Sequence, residues 1–327
     1  MSQRLSITRI PKAQGFEYRR RGELLTKRAD IARIEALAIP PAWTDVEISS
    51  SSSAKVQARG RDAAGRVQII YHPSFRRRQD REKFARAERF GKALPKLRAQ
   101  VDRDLRRRKL NRKRVAACVV HLMDEQLFRV GNQQYADANG SFGITTLRKK
   151  HLRLRKNTVH FAFVGKSGTS HRKTVRDTRA TRILEQLMEL PGPAVFQFLE
   201  DDDAAPHPLS SADVNAYIRK HLGKSFSAKD FRTWGATVFA VQTLLDLDPA
   251  DLGTKSQRAA AVRTIVKEVA QQLGNTESVA KSSYIDPRVL EAAAHPRRLK
   301  VVRNAKLRSA PYRTHSEQRT IALLERS

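Results

Sequence analysis

Five residues of this chain have the side chains needed to move a phosphodiester onto a tyrosine: Arg129, Lys166, Arg232, Asn275 and Tyr284. Arginine is planar, forked and always charged, so two arginines can hold the non-bridging phosphate oxygens that gain charge during attack. A lysine can protonate the leaving oxygen, and an amide N–H can donate to a non-bridging one. This set permits a transesterification that needs no metal ion and no nucleotide.

The tyrosine sets the main requirement of such a site. Its usual pKa of about 10 makes it a weak nucleophile, so a strongly positive environment must favour the phenolate. A phosphotyrosine ester keeps the energy of the broken bond, which makes the reaction reversible without a cofactor. Taken singly, each of the five residues is more often structural, as an ion-pair partner, a turn residue, a helix-end residue or a packed aromatic.

The charge of the chain indicates its partner. Its 327 residues include 64 Lys+Arg against 33 Asp+Glu, a formal net charge of +31. Such a charge opposes compaction, but each lysine or arginine contact with a phosphate backbone releases counterions. With 40% hydrophobic residues the chain can bury a sizeable core and form two domains, unlike most ribosomal proteins. The composition therefore predicts a nucleic acid as the partner.

Other kinds of site are disfavoured. Gly165-Lys166-Ser167 resembles the end of a phosphate-binding loop, but His160 stands where the partner glycine belongs, so we expect no nucleotide. The acidic run at residues 200–203 is interpreted as a loop rather than a magnesium site, and the histidines lack zinc-ligand spacing. We therefore expect no metal and no cofactor.

Cysteine usage and hydropathy indicate the compartment. The single cysteine, Cys118, excludes an intramolecular disulfide, and its place on an apolar stripe predicts a buried structural thiol. The N-terminal residues lack the apolar core of a signal peptide, and no apolar run approaches the length that spans a membrane. We expect a cytoplasmic, nucleoid-associated protein. We also expect Trp43 and Trp234 to be core anchors rather than base-stacking platforms.

The pattern predicts an α+β fold with two domains. Residues 1–82 form a small strand-rich domain that contains a helix over residues 30–37 and a hairpin from segments 55–60 and 66–71. Residues 83–327 form a mainly helical domain. Within it, alternating apolar residues at 159–163, a Gly-rich turn and a polar strand predict a β-hairpin with Lys166 at its tip.

Capping signals place the other candidate residues. Ser210 with Asp213 and Ser227 with Asp230 resemble capping boxes, so Arg232 is predicted in the first turns of a helix, off its apolar stripe. Gly274 is predicted to end a helix just before Asn275. Tyr284 then closes a short segment before residues 286–287 open the next helix.

Taken in order, several segments resemble the small poxvirus-type and bacterial type IB DNA topoisomerases over most of the chain. The matching stretches are IPPAWTDV from residue 39, GRDAAGRVQIIYHP from 60, DREKF from 80, FRVGNQQYADANGSFGITTL from 128, FVGKSG from 163, KDFRTWGAT from 229 and GNTESVAKSSY from 274. Each segment is weak alone, but their order and spacing together are specific.

The resemblance implies a role for each residue. Arg129 and Arg232 would bind the phosphate oxygens, Lys166 would be the general acid, and Tyr284 would take the 3′ phosphate and free a 5′-hydroxyl. Asn275 stands where many members of the family have a histidine; its amide can donate a hydrogen bond but never carries charge. The resemblance also implies DNA contacts for three further residues, Gln68, Tyr71 and Tyr135.

Two alternatives stay open at this point. The related tyrosine recombinases use a similar catalytic set in a similar helical domain, but they usually have His-x-x-Arg where this chain has Lys229 before Arg232, and they act as multimers. A non-catalytic DNA-binding protein would leave the arginines, the lysine and Tyr284 unexplained together. The resemblance implies a monomer whose two domains cover opposite faces of duplex DNA and which relaxes supercoils by nicking one strand.

Overall fold

The computed structural model describes residues 5–200 and 205–326, which divide into two compact units. One unit runs to Lys83 and the other starts at Phe84. No helix in these described ranges is long and apolar enough to cross a membrane. Residues 201–203, most of the run predicted as an acidic loop, lie outside the described residues.

The N-terminal unit is built on one antiparallel sheet of six strands in the order β3-β2-β1-β4-β5-β6. The strands are β1 (Leu5–Pro11), β2 (Phe16–Arg20), β3 (Glu23–Leu24), β4 (Thr44–Ser49), β5 (Val56–Arg61) and β6 (Val67–Tyr71). Helix α1 (Arg28–Glu35) follows β3 along the chain. Val46 and Ile48, two residues apart on β4, are buried with Ile7, Ile34 and Ala58, because alternate strand residues share a face.

The predicted hairpin of this unit is confirmed. Strands β5 and β6 pair in antiparallel fashion, with Arg61 opposite Val67. Between them, the Asp62 carboxylate accepts the backbone N–H groups of Ala64 and Arg66, each at 3.0 Å. Gly65 has φ 72°, a left-handed conformation that favours glycine.

The C-terminal unit is mainly helical, and the α+β prediction is confirmed. Its helices are α2 (Pro73–Leu105), which starts before the division, α3 (Arg112–Gln126), α4 (Gln133–Asn139), α5 (Thr178–Glu189), α6 (Ser211–Leu222), α7 (Ala228–Asp246), α8 (Lys255–Leu273), α9 (Glu277–Ser283), α10 (Pro287–Ala292), α11 (Pro296–Arg303) and α12 (His315–Leu324). Strands β7 (Leu152–Arg155), β8 (Thr158–Val164) and β9 (Ser170–Arg176) form one antiparallel sheet, and β10 (Gln197–Phe198) pairs with β11 (His207–Pro208).

The helix ends lie where the capping residues predict them. The Ser210 N–H donates to the Asp213 carboxylate at 2.9 Å before α6, and the Ser227 N–H donates to Asp230 at 2.8 Å before α7. Gly274 ends α8 with φ 61°. These caps fix the residues at which the site-bearing helices begin and end.

The core of the C-terminal unit contains the predicted anchor and thiol. Trp234 is 2% exposed and packs onto Gly91, where a Cβ atom would come within 2.3 Å of the indole ring. Cys118 is fully buried, and burial raises the pKa of its thiol to about 12, so it is structural as predicted. Trp43 is only partly buried, against the core of the N-terminal unit.

An ion-pair network joins α12 to the helical core. The Arg98 guanidinium donates to both oxygens of Glu317 at 2.8 Å and to both oxygens of Asp124 at 2.6 and 3.0 Å. Glu317 also accepts the Trp234 indole N–H at 3.1 Å. Burial alone would raise the pKa of Glu317, but Arg98 outweighs burial and lowers it.

We expect Glu317→Gln to lower the free energy of unfolding by about 2 kcal/mol at pH 7, because it leaves a largely buried arginine with one carboxylate. Since the pKa of Glu317 is lowered in the folded state, its stabilisation is present at neutral pH and is lost as the pH falls through that pKa. Urea denaturation at neutral and acidic pH measures both effects. Glu325→Gln breaks an exposed pair with Lys92 and should cost less than about 1 kcal/mol. Equal losses in the two variants would contradict the role of burial.

Candidate active site

Arg129 lies on a short segment that leaves the end of α3. Leu127 ends the helix with φ 55°, and buried Phe128 packs on Phe161 with ring centroids 5.2 Å apart. The Arg129 carbonyl accepts the Ile144 N–H at 2.8 Å, which holds the backbone from the other side. The arginine is therefore fixed by its neighbours rather than by a helix of its own.

Arg232 is buried in the first turns of α7, with 4% of its surface exposed. Its guanidinium donates to the Leu127 carbonyl at 2.5 Å and to the Leu273 carbonyl at 3.0 Å. The helix position is as predicted, but the expectation that the residue lies off the buried face is wrong. Arg232 can be buried because these two carbonyls lie at the ends of α3 and α8, where the helix dipoles are negative and stabilise its positive charge.

Asn275 follows the glycine that ends α8 and contacts Arg129. Its side-chain oxygen accepts a hydrogen bond from the Arg129 guanidinium. Its Nδ2 atom is buried and has no hydrogen-bond partner among the described residues, and the same is true of Arg232 Nε. Both atoms are hydrogen-bond donors that remain available to a bound acceptor.

Tyr284 lies at the end of α9, half-buried beside Arg232. The Arg232 guanidinium carbon is 5.1 Å from the centre of the tyrosine ring. Burial raises the pKa of Tyr284, but the positive charges of Arg232, Arg129 and Lys229 outweigh it and lower that pKa below its usual value. The phenolate that a nucleophile requires is thus favoured by its surroundings.

Lys166 is exposed at the tip of the β8–β9 hairpin, as predicted. Ser167 and Gly168 both have positive φ, 63° and 71°, and the Gly165 N–H donates to the Thr169 carbonyl at 2.8 Å. We find no side-chain partner for Lys166 within the described part of the chain. The other four residues form two contacting pairs, Arg129 with Asn275 and Arg232 with Tyr284, whereas Lys166 lies on an exposed turn.

The structure adds two residues that the pattern alone did not identify. His171 and Lys173, alternate residues of β9, line a small cleft together with Arg129 and Arg232, which we call the arginine cleft. Burial, together with the nearby cations, lowers the pKa of His171 to about 4, so the ring is neutral at pH 7. A polar residue at every second, inward-facing position of a strand is the signal that can identify such residues.

The three predicted DNA contacts are not part of this group. On β6, the Gln68 side chain donates to Asp62 at 2.9 Å, and the Tyr71 ring packs 5.1 Å from that of Phe75. Tyr135 lies on α4 of the C-terminal unit and is 37% exposed. Their binding role remains a prediction.

A second cluster has atoms of the kind that bind metals. His121 Nε2 lies 2.9 Å from an Asp177 oxygen and 3.5 Å from a Glu125 oxygen, and the three ligand atoms lie within 4.8 Å of one another. Asp177 also caps α5 by accepting the N–H groups of Arg179 and Ala180. A hydrogen bond between His121 and Asp177 accounts for this geometry without a metal ion.

Comparison with known proteins gives one consistent result. A family model described as the catalytic core of eukaryotic DNA topoisomerase I matches residues 72–305, and one described as the N-terminal domain of bacterial DNA topoisomerase IB matches residues 15–62. DNA topoisomerase 1B of Acanthamoeba polyphaga mimivirus is 34% identical over 275 residues, covering 82% of this chain and 81% of that protein.

Two further relatives are more distant. DNA topoisomerase 1B of Vaccinia virus, strain Copenhagen, is 23% identical over 82% of this chain and 83% of its own length. DNA topoisomerase 1 of Mycosarcoma maydis is 28% identical over 59% of this chain, but the match covers only 20% of that longer protein.

The arginines should control the ionisation of Tyr284. We expect Arg232→Met to raise the pKa of Tyr284 more than Arg129→Met does, because Arg232 has the larger lowering effect on the buried phenol. Absorbance titration of phenolate, with Tyr284→Phe to isolate this tyrosine, measures the pKa. Arg172→Met, an exposed position on β9, is the control and should leave it unchanged. A Tyr284 pKa that is unmoved in both arginine variants would show that the charges do not act on the phenol.

Proposed function

Because the chain belongs to the type IB DNA topoisomerases, we propose that it relaxes supercoiled duplex DNA by nicking and resealing one strand through Tyr284. The observation that carries this proposal is the position of Tyr284 against buried Arg232, next to the Arg129–Asn275 pair. Family membership also favours this activity over the tyrosine recombinase and non-catalytic alternatives.

Strand cleavage begins with attack by Tyr284. Its phenolate oxygen forms a bond to phosphorus while the bond between phosphorus and the 5′ oxygen breaks, and the product is a 3′-phosphotyrosyl ester. Lys166, on the exposed hairpin tip, gives a proton to the departing 5′ oxygen, which leaves as a hydroxyl. After the duplex rotates, the 5′-hydroxyl attacks the ester and Tyr284 leaves, so bonds and protons balance over the cycle.

The remaining groups stabilise charge on the phosphate. The unpartnered Arg232 Nε and Asn275 Nδ2 atoms are donors for non-bridging oxygens, and Arg129 adds a second guanidinium. Such donors are already in place before the substrate binds, which avoids the cost of reorganising water. Asn275, where many members of the family have a histidine, is a donor that stays neutral at every pH.

The surroundings of the reaction follow from the same proposal. The net charge of +31 supports binding of the DNA backbone, with Gln68 and Tyr71 of the N-terminal unit and Tyr135 of the C-terminal unit as contacts. We infer that the protein acts as a monomer, without nucleotide or metal, in the bacterial cytoplasm at the nucleoid.

Purified protein should relax both negatively and positively supercoiled plasmid in the presence of EDTA and without ATP. The expectation rests on charge stabilisation by the two arginines and the amide and on reversal of the ester without an energy source. Gel electrophoresis of the topoisomers measures it. A strict requirement for Mg²⁺ or ATP would contradict the mechanism.

Tyr284→Phe should abolish relaxation and the covalent adduct while leaving non-covalent DNA affinity within about twofold, because it removes only the hydroxyl group. Mass spectrometry of trapped wild-type complex should place the nucleotide on Tyr284. Tyr217, buried and bonded to Asp104 at 2.8 Å, provides the matched Tyr217→Phe control, which should still form the adduct. A nucleotide on any other tyrosine would refute the assignment.

Lys166 and Asn275 should respond differently to the leaving group. Lys166→Ala should slow cleavage by roughly 10²-fold or more, and a 5′-bridging phosphorothiolate should restore much of the rate because a thiolate needs little protonation. Asn275→Ala should be slowed by about 10²-fold on both substrates, since it removes a charge-stabilising donor. Asn275→His should retain substantial activity. Single-turnover cleavage measures these rates, and equal rescue of both alanine variants would show that the roles are wrongly divided.

A further inference from the structure

Two side chains of β9 join the hairpin that carries Lys166 to the end of α8. His171 stacks on Phe163 of β8, with ring centroids 5.1 Å apart. The same imidazole fills the space above two glycines: a Cβ atom would come within 2.6 Å of it at Gly165 and within 2.4 Å at Gly274. The ring is thus wedged between the residue before Lys166 and the residue before Asn275.

Lys173, two residues further along β9, makes the polar half of this connection. Its ammonium group donates to the Gln272 carbonyl at 3.1 Å, and Arg232 donates to the next carbonyl, that of Leu273, at 3.0 Å. Both carbonyls belong to the last turn of α8, where the helix dipole is negative and cations are stabilised. Asn275 is two residues after Leu273. The two hydrogen bonds that hold this turn therefore also set the position of the Asn275 amide.

The surroundings of Lys173 disfavour its charged form. Burial, and then the charge of Arg232, lower the pKa of its ammonium group to about 8, so it is still mostly protonated at pH 7. Arg129 and Arg232 line the same arginine cleft, and the groups that shift this pKa include no carboxylate. A lysine that stays charged beside arginines and is bonded to a helix end is arranged to act on an anion or on the residues that hold one.

We propose that Lys173 is a positioning residue of the strand-transfer reaction: it fixes the last turn of α8, and so holds Asn275 in place for the phosphate. The inference rests on the proposed function. Lys173 acts through Asn275 and not through proton transfer, which remains the task of Lys166 at the hairpin tip.

The test is single-turnover cleavage by Lys173→Met on ordinary DNA and on the 5′-bridging phosphorothiolate. We expect a loss of about 10-fold to 100-fold on both substrates, the effect of a small misplacement of a reacting group, with non-covalent DNA affinity within about threefold of wild type. Lys173→Arg keeps both the charge and the donor and should recover most of the rate. Arg172→Met removes a charge from the exposed face of the same strand and should cleave at the wild-type rate.

A double-mutant cycle identifies the residue through which Lys173 acts. Lys173→Met combined with Asn275→Ala should be little slower than Asn275→Ala alone, because the first substitution has nothing left to misplace. Combined with Lys166→Ala, the two losses should multiply. If Lys173→Met does not give a wild-type circular dichroism spectrum, Lys173→Gln, which also removes the charge, takes its place in the same cycle.

The outcomes separate this inference from the proposed function. Wild-type protein that forms no adduct at Tyr284 would overturn both. An active wild type with Lys173→Met cleaving within about twofold of it would overturn only the role of Lys173, since a misplaced group costs more than that. Multiplicative losses with Asn275→Ala, or rescue of Lys173→Met by the thiolate leaving group, would do the same.

Discussion

The candidate site depends on one buried positive charge, the guanidinium of Arg232. Removing such a group from water is expensive unless its donors are satisfied. Here the carbonyls of Leu127 and Leu273, at the ends of two different helices, accept two of its hydrogen bonds. Because these acceptors are neutral, the positive charge is not cancelled and still acts on Tyr284.

This arrangement explains why helix ends meet at the site. Helix α3 ends just before Arg129, α8 ends just before Asn275, and α9 ends just before Tyr284. A residue just beyond a helix end is held by the helix, while its side chain is free of the helix surface. In the proposed site the helix ends thus orient the reacting groups, and Lys166 lies on an exposed turn.

Local signals in the sequence predict most of this. The capping residues predict where α6, α7 and α10 begin, Gly274 predicts the end of α8, and the alternation of Val159, Phe161 and Phe163 predicts the hairpin. These features depend on neighbours within a few residues. They place Lys166, Arg232, Asn275 and Tyr284 on the correct elements.

The burial of Arg232 and the roles of His171 and Lys173 depend on distant residues. The two carbonyls bonded to Arg232 lie 105 and 41 residues away along the chain. The spacing of apolar residues within one helix cannot reveal such partners, so a charged residue is predicted to face the solvent. Likewise, the sequence predicts His171 and Lys173 only as polar residues of a strand. Their contacts with the end of α8 become visible only in the structure. The sequence pattern does not reveal long-range contacts between helix ends.

The unpartnered amide of Asn275 has a consequence for how the protein can evolve. A buried donor that is kept for a substrate oxygen makes no hydrogen bond to the described part of the protein, and its desolvation opposes folding. Apolar substitutions there would remove that desolvation penalty along with the proposed phosphate contact. Selection for a more stable fold therefore favours an apolar residue at this position, whereas selection for catalytic turnover favours the amide. A lineage that no longer needs the enzyme would lose the amide early.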